Sequence, residues 1–169
     1  MGGDEQAGQT HDGAAAMQSL DPNQIKVMRI RAALVSAGAL VIAFVLDLGP
    51  LRETPAPAYA LSGVVLLLAL YLVLVFPGRR YRAWGYGEGE DELAVRHGVL
   101  VRRHTIVPFG RVQHIDVAQG PIERRYDLAT LILHTAGTRS ASVSLPGLKQ
   151  PDAEALRDRI RAKIRQDLV

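Results

Sequence analysis

The pattern of apolar and polar positions changes once along the chain, near residue 84. Before that point the apolar residues come in blocks. Ile30 to Leu48 is apolar except for Arg31, Ser36 and Asp47, and Ala58 to Phe76 reads AYALSGVVLLLALYLVLVF without a single charge. A helix of either length spans roughly 28 Å at ~1.5 Å per residue, close to the ~30 Å of a bilayer's hydrocarbon core. A helix that is apolar all round needs lipid or a large protein around it, and the rest of this chain is too short to supply the protein. The connection GPLRETPAP carries three prolines, which stop both helices and leave an antiparallel hairpin as the economical arrangement. A membrane-spanning helical hairpin is therefore expected over 25–82.

Beyond residue 83 the period falls to two. The alternation predicts strands at Trp84 to Tyr86, Glu92 to His97, Leu100 to Val107, Arg111 to Ala118, Ala129 to Thr135 and Ser140 to Leu145. His97-Gly98 stands between two of these as a hairpin signal. The chain closes on a helical stripe of Ala153, Leu156, Ile160, Ile164 and Leu168, with Pro151, Asp152 and Glu154 suited to a first turn and Lys163 and Arg165 to a last one. A bent antiparallel sheet, or partly open barrel, with one C-terminal amphipathic helix plugging its end is the plan of a pleckstrin-homology (PH) domain, expected over 83–169.

Composition sharpens the division. Residues 79 to 169 hold 16 of the 20 Lys and Arg and 11 of the 17 Asp and Glu, the mix of a soluble domain large enough for one core. The absence of cysteine excludes disulfides, thiolate metal sites and cysteine nucleophiles. Residues 1–24 begin with a Gly, Ala, Gln and acid-rich stretch without periodicity and read as a disordered tail. Asp4, Glu5 and Asp12 stand where a signal peptide would need bases followed by an apolar run.

The flanks of the hairpin are basic: Lys26, Arg29 and Arg31 on one side and Arg79, Arg80 and Arg82 on the other, against Arg52 alone in the connection. The positive-inside rule then puts both termini in the cytoplasm of a multi-pass protein of the cell membrane. Tyr59, Phe76, Tyr81 and Trp84 suit interfacial anchoring, with Trp84 equally suited to the next domain's core. Gly38 and Gly63 are candidate points of close helix approach.

The run PFGRVQHIDVAQGPIERRYDLATLILHTAG, residues 108 to 137, resembles the signature of bacterial PH-domain membrane proteins of the YdbS type: Pro, Phe, Arg and Gln at its entry, a Gly-x-x-Glu-Arg middle, and a strand ending in TAG. The resemblance covers roughly residues 26 to 168. It implies a PH-like domain facing the cytoplasm behind two transmembrane helices, with no established enzymatic activity and no cofactor. Asp127 departs from the pattern, which has glycine there in a left-handed turn; Asp can adopt that conformation at some cost.

Chemistry is sparse. Arg79, Arg80 and Arg82, with Arg102, Arg103, Arg111, Arg124 and Arg125, are candidates to face anionic headgroups, the first three foremost because topology puts them at the membrane interface. A phosphoinositide site in the loop between the first two strands would need bases, but Glu88, Glu90, Asp91 and Glu92 lie there and would repel phosphate. His97, His104, His114 and His134 with Asp116 lack the spacing of a metal motif, and Ser142, Ser144 and the lone Gly87-Glu88-Gly89 lack the context of a nucleophile or a phosphate loop. The basic excess is diluted by acids and aromatics are few, so no nucleic-acid partner is expected. The segment Gly120 to Asp127, with Arg111 nearby, is the candidate interaction surface: Glu123, Arg124, Arg125 and Tyr126 suit protein contacts, although Glu123 could pair with an arginine and Tyr126 could cap the barrel. These features point to a non-enzymatic scaffold that recruits or assembles with proteins, copies of itself or another PH-domain membrane protein included. A sensor of anionic lipid, or an accessory subunit of an export system, are the alternatives.

Overall fold

A computed structural model describes residues 17–53, 57, 59–136 and 142–166. The first apolar run forms α1 (Gln24–Leu48) and the second forms α2 (Ala60–Leu74), continued by α3 (Phe76–Arg82). Only 11% of the most apolar window of each span is buried, with Leu34, Val35, Val41, Val64 and Leu67 all more than 60% exposed. A soluble core helix would be mostly covered, so surface of this size and apolarity belongs in a bilayer. Between the helices the close-packed positions are small: Ser36 and Ala43 on α1 and Ala69 on α2 are buried. Gly38 and Gly63 are not the points of approach, since a Cβ added at either would meet nothing within 4 Å.

The hairpin's far end is closed by a polar contact. Asp47, one residue before α1 ends, accepts hydrogen bonds from the backbone N–H of Ser62 at 2.8 Å and from its hydroxyl at 2.6 Å. The carboxylate thus caps the first turn of α2, whose N-cap residue Tyr59 is left-handed (φ 61°) and supplies no side-chain cap. At the other end Pro77, which has no N–H to donate, coincides with the break at Val75 between α2 and α3.

Among the described residues six strands follow: β1 (Gly85–Glu88), β2 (Glu92–His97), β3 (Arg103–Pro108), β4 (Val112–Ala118), β5 (Leu128–Thr135) and β6 (Ser142–Lys149). They form two antiparallel three-stranded sheets, β1-β2-β3 and β4-β5-β6, and no strand pair among the described residues closes them into a barrel. A 3₁₀ turn at Phe109–Arg111 carries the chain from one sheet to the other, and α5 (Gln150–Gln166) covers the opening. Leu93, Val95, Phe109, Leu131, Leu133 and Leu145 from the sheets meet Ala153, Leu156 and Ile160 of α5 in one core. The helical stripe read from the sequence is the face that packs, except Leu168, which lies outside the described residues.

The strands depart from the alternation at two ends. The third begins at Arg103 rather than Leu100, because Gly98 (φ 114°) turns the chain so tightly that a Cβ there would overlap the Val101 carbonyl oxygen. The sixth runs on through Pro146 and Gly147 to Lys149, with the register slipping opposite Ala129 and Leu131. Residues 140 and 141 of the expected strand fall outside the described residues.

The segment before α1 differs from a free tail where it is described. Leu20 is 2% exposed in the domain core, Gln18 exchanges backbone hydrogen bonds with Tyr86, and the Asp21 N–H donates to the Gly147 carbonyl at 2.8 Å. Gly147 is left-handed (φ 74°) and its missing Cβ makes room for the buried Gln24 side chain. Tyr81, on α3, donates its hydroxyl to the Leu20 carbonyl at 2.7 Å, and both Tyr81 and Trp84 pack against the core. The physical reason is burial: a lone leucine in a polar stretch has no periodicity to announce it, yet the core between β1 and β6 has room for it.

Leu20→Ala is expected to cost about 2–5 kcal/mol, and Met17→Ala, at an exposed position, within about 0.5 kcal/mol. Asp47→Ala removes the cap from α2 and is expected to lower the unfolding temperature by less than Leu20→Ala does. Thermal unfolding of the detergent-solubilised protein, followed by circular dichroism, checks all three.

Candidate functional site

The Gly-x-x-Glu-Arg middle of the signature run folds as one short helical turn, α4 (Pro121–Arg125), wedged between the sheets and the membrane hairpin. Pro121 at its first position is pre-set for the helical φ, and Glu123 reaches back to accept the Gly120 N–H at 2.7 Å. The other Glu123 oxygen takes the Arg31 guanidinium of α1 at 3.2 Å and the Thr130 hydroxyl of β5 at 3.3 Å. Glu123 is 5% exposed, so the carboxylate is desolvated and needs all three partners. Asp127 ends the turn in the left-handed region (φ 53°), where the sequence pattern expects such a residue, and its carbonyl accepts the Gln150 N–H at the start of α5.

Tyr126 is half-buried, with the Lys26 ammonium of α1 5.7 Å from its ring centroid. Two of the five candidate interaction residues, Glu123 and Tyr126, thus contact the hairpin of their own chain. The arginine that pairs with Glu123 comes from the membrane helix and not from the loop itself. Arg111, Arg124 and Arg125 are exposed, and none forms an ion pair among the described residues.

The acidic turn between β1 and β2 is tied to the C-terminal helix. Glu88 accepts a bidentate contact from Arg159 (3.0 and 3.1 Å), and Lys163 donates to the Gly89 carbonyl at 2.8 Å while lying over the Phe109 ring. This pairing holds the Arg159 guanidinium above its usual pKa, and burial, assisted by Asp152, raises that of the neighbouring Tyr86 phenol. On the outer face of β4 and β5, His114 and His134 both direct Nε2 at Asp116, at 2.8 and 3.2 Å. Each histidine thus has Asp116 as a partner, and no group of three or more His, Cys, Asp or Glu placed to hold a metal ion occurs among the described residues.

The juxtamembrane arginines sit on α3. Arg79 and Arg82 line an open groove of about 450 Å³ together with Ala83 and with Arg96, Gly98, Val99 and Arg102 from the end of β2 and the loop after it. Arg80, also exposed, does not line this groove. Sequence patterning missed Arg96 because a single basic residue on an alternating strand looks like any solvated position; only the β1–β2 register, which sets it opposite Gly85, brings it beside α3.

Glu123→Ala leaves the Gly120 N–H and the Arg31 guanidinium without their acceptor and is expected to destabilise the protein by about 1–3 kcal/mol. Arg31→Ala leaves the buried Glu123 carboxylate without its counter-charge and is expected to cost a comparable amount, about 1–3 kcal/mol, although the guanidinium itself is half exposed. The double variant is expected to fall short of the sum in the same unfolding assay, the sign of direct coupling.

Comparison with known proteins agrees with this architecture. The family model described as bacterial PH domain matches residues 28–164, which includes most of α1 as well as the sheets and α5. The chain is also 35% identical over 145 residues to the UPF0699 transmembrane protein YdbS of Bacillus subtilis (strain 168), an alignment covering 83% of this chain and 88% of that one. No solved structure matches. Neither the family nor the relative's name indicates an enzyme. With its two membrane-length helices and its paired antiparallel sheets covered by α5, the chain is a membrane protein of the bacterial PH domain family.

Proposed function

We propose that this protein is a non-enzymatic platform: the hairpin fixes the PH-like domain at the inner leaflet in one attitude, and the domain's outward surface assembles with other proteins, further copies of itself included. The observation that carries this reading is the seam between hairpin and domain. Leu20 in the core, Tyr81 on the Leu20 carbonyl and Glu123 on Arg31 join α1 and α3 to the domain on more than one side. A module meant to search freely for a distant ligand would sit on a flexible linker; one that builds an assembly gains from presenting each face in a constant direction. Arg111, Arg124 and Arg125 are the exposed members of the candidate interaction surface, and the outer edges of β3, β4 and β6 have no strand partner among the described residues.

Light scattering of the full-length protein in lipid nanodiscs and in mild detergent tests it. A defined oligomer in both, weakened about tenfold or more by Arg124→Glu with Arg125→Glu and tolerant of salt, supports assembly through this face. A monomer in both media contradicts it. A second reading, a module that responds to anionic lipid, is favoured by the arginines of the groove beside α3, which have no acidic partner among the described residues.

A further inference from the structure

The groove lined by Arg79, Arg82, Arg96 and Arg102 combines three properties. The first is uncompensated charge. None of the four guanidinium groups has a carboxylate within ion-pair distance among the described residues, and the sole side-chain hydrogen bond any of them makes is Arg82 Nε to the Gly78 carbonyl at 3.3 Å. Arg31, Arg157, Arg159 and Lys163 do have acidic partners, whereas the exposed Arg111, Arg124 and Arg125, like the four of the groove, have none among the described residues; the groove differs in gathering its arginines around one cavity. Four like charges around one cavity of about 450 Å³ repel one another and are relieved by an anion.

The second property is depth. Arg79 stands one turn past Val75 and Arg82 about two, beyond Leu74 and Val75, lipid-type residues that are 60% and 45% exposed, so the groove opens where the hydrocarbon ends. The third is the apolar tip of the loop that forms the opposite wall. Leu100 is 96% exposed and Val101 70%, side by side between Val99 and Arg102 of the groove. Gly98 holds this turn in its tight form. Two aliphatic side chains fully in water beside a basic cluster suit insertion among acyl chains with the bases at the phosphate level.

Strand β2 adds a direction. Its first residue, Glu92, adjoins the acidic turn, and its last, His97, adjoins the groove, about 17 Å away at ~3.3 Å per residue. The domain is therefore polarised, with acids at the end far from α3 and uncompensated arginines at the end next to it. An anionic membrane surface aligns that polarity, whereas it would repel the acidic turn where phosphoinositide-binding domains carry their bases.

We propose that this groove binds the phosphate-bearing headgroup of an anionic membrane lipid, held between Arg79 and Arg82 of α3 and Arg96 and Arg102 of the β2–β3 turn, with Leu100 and Val101 entering the acyl layer. The proposal rests on the second reading of function only in needing the domain at the bilayer; it is independent of protein assembly, which is read by mass.

Because the chain has no cysteine, Leu100→Cys gives one labelling site on the full-length protein. A polarity-sensitive fluorophore placed there is followed in nanodiscs of phosphatidylcholine alone and of phosphatidylcholine mixed equally with phosphatidylglycerol, with iodide as aqueous quencher. The expected result is a blue-shifted emission and several-fold weaker quenching in the mixed discs. That protection is lost in Arg96→Glu with Arg102→Glu, lost again in Arg79→Gln with Arg82→Gln on the other wall, and retained in Arg124→Glu with Arg125→Glu. Equal quenching in the two kinds of disc overturns the proposal, as does protection that survives both groove variants. Inorganic phosphate that protects the label in phosphatidylcholine discs as well as phosphatidylglycerol does would also overturn it, by showing a site for a free anion and not for a lipid.

Discussion

A carboxylate that is almost wholly withdrawn from water must be given partners, and Glu123 is that carboxylate here. Its three partners lie on three parts of the molecule: the Gly120 N–H of its own turn, the Thr130 hydroxyl of the sheet and Arg31 of the membrane helix. Satisfying one buried charge therefore fixes α4 on the domain and the domain on the hairpin together. The Leu20 anchor works by a different force, apolar burial, on the preceding stretch of chain, and Tyr81 ties that stretch to α3. The consequence is a PH-like domain without a free tether.

The two solvents of this protein explain the remainder. In the bilayer there is no hydrophobic gain from bringing helices together, so α1 and α2 meet at small residues and close with a polar cap from Asp47, while large aliphatic side chains face outward. In water the sheets and α5 bury the large side chains and put charges outside. Between these regimes lies α3, set off by the break at Val75 and rich in arginine, where apolar surface ends and basic surface starts.

Most of the fold was legible because it obeys periodicity. The two apolar blocks, the alternating strands and the Ala153, Leu156, Ile160 stripe are repeating signals, and the left-handed turn at Asp127 could be read from a pattern with glycine in its place. What periodicity cannot show is a contact made once. Leu20 packs alone, Glu123 finds an arginine in a distant helix, and Arg96 reaches the groove only through the register of β2. Leu100 and Val101 read as strand because they are apolar and follow a hairpin signal; the turn at Gly98 takes them out of the ladder. Gly38 and Gly63 suggested close approach, yet the small residues that face the partner helix are Ser36, Ala43 and Ala69.

Rigid coupling of domain to hairpin is measured most directly by the distance between one label beyond each end of the molecule. Arg52→Cys, in the connection between the membrane helices, and Arg161→Cys, on the exposed face of α5, are to be spin-labelled together in nanodiscs and read by pulsed electron paramagnetic resonance. A single narrow distance distribution, broadened when Leu20→Ala and Glu123→Ala are added, is the predicted result. A broad distribution in the otherwise unaltered protein would show a domain swinging on a tether and would contradict the fixed seam.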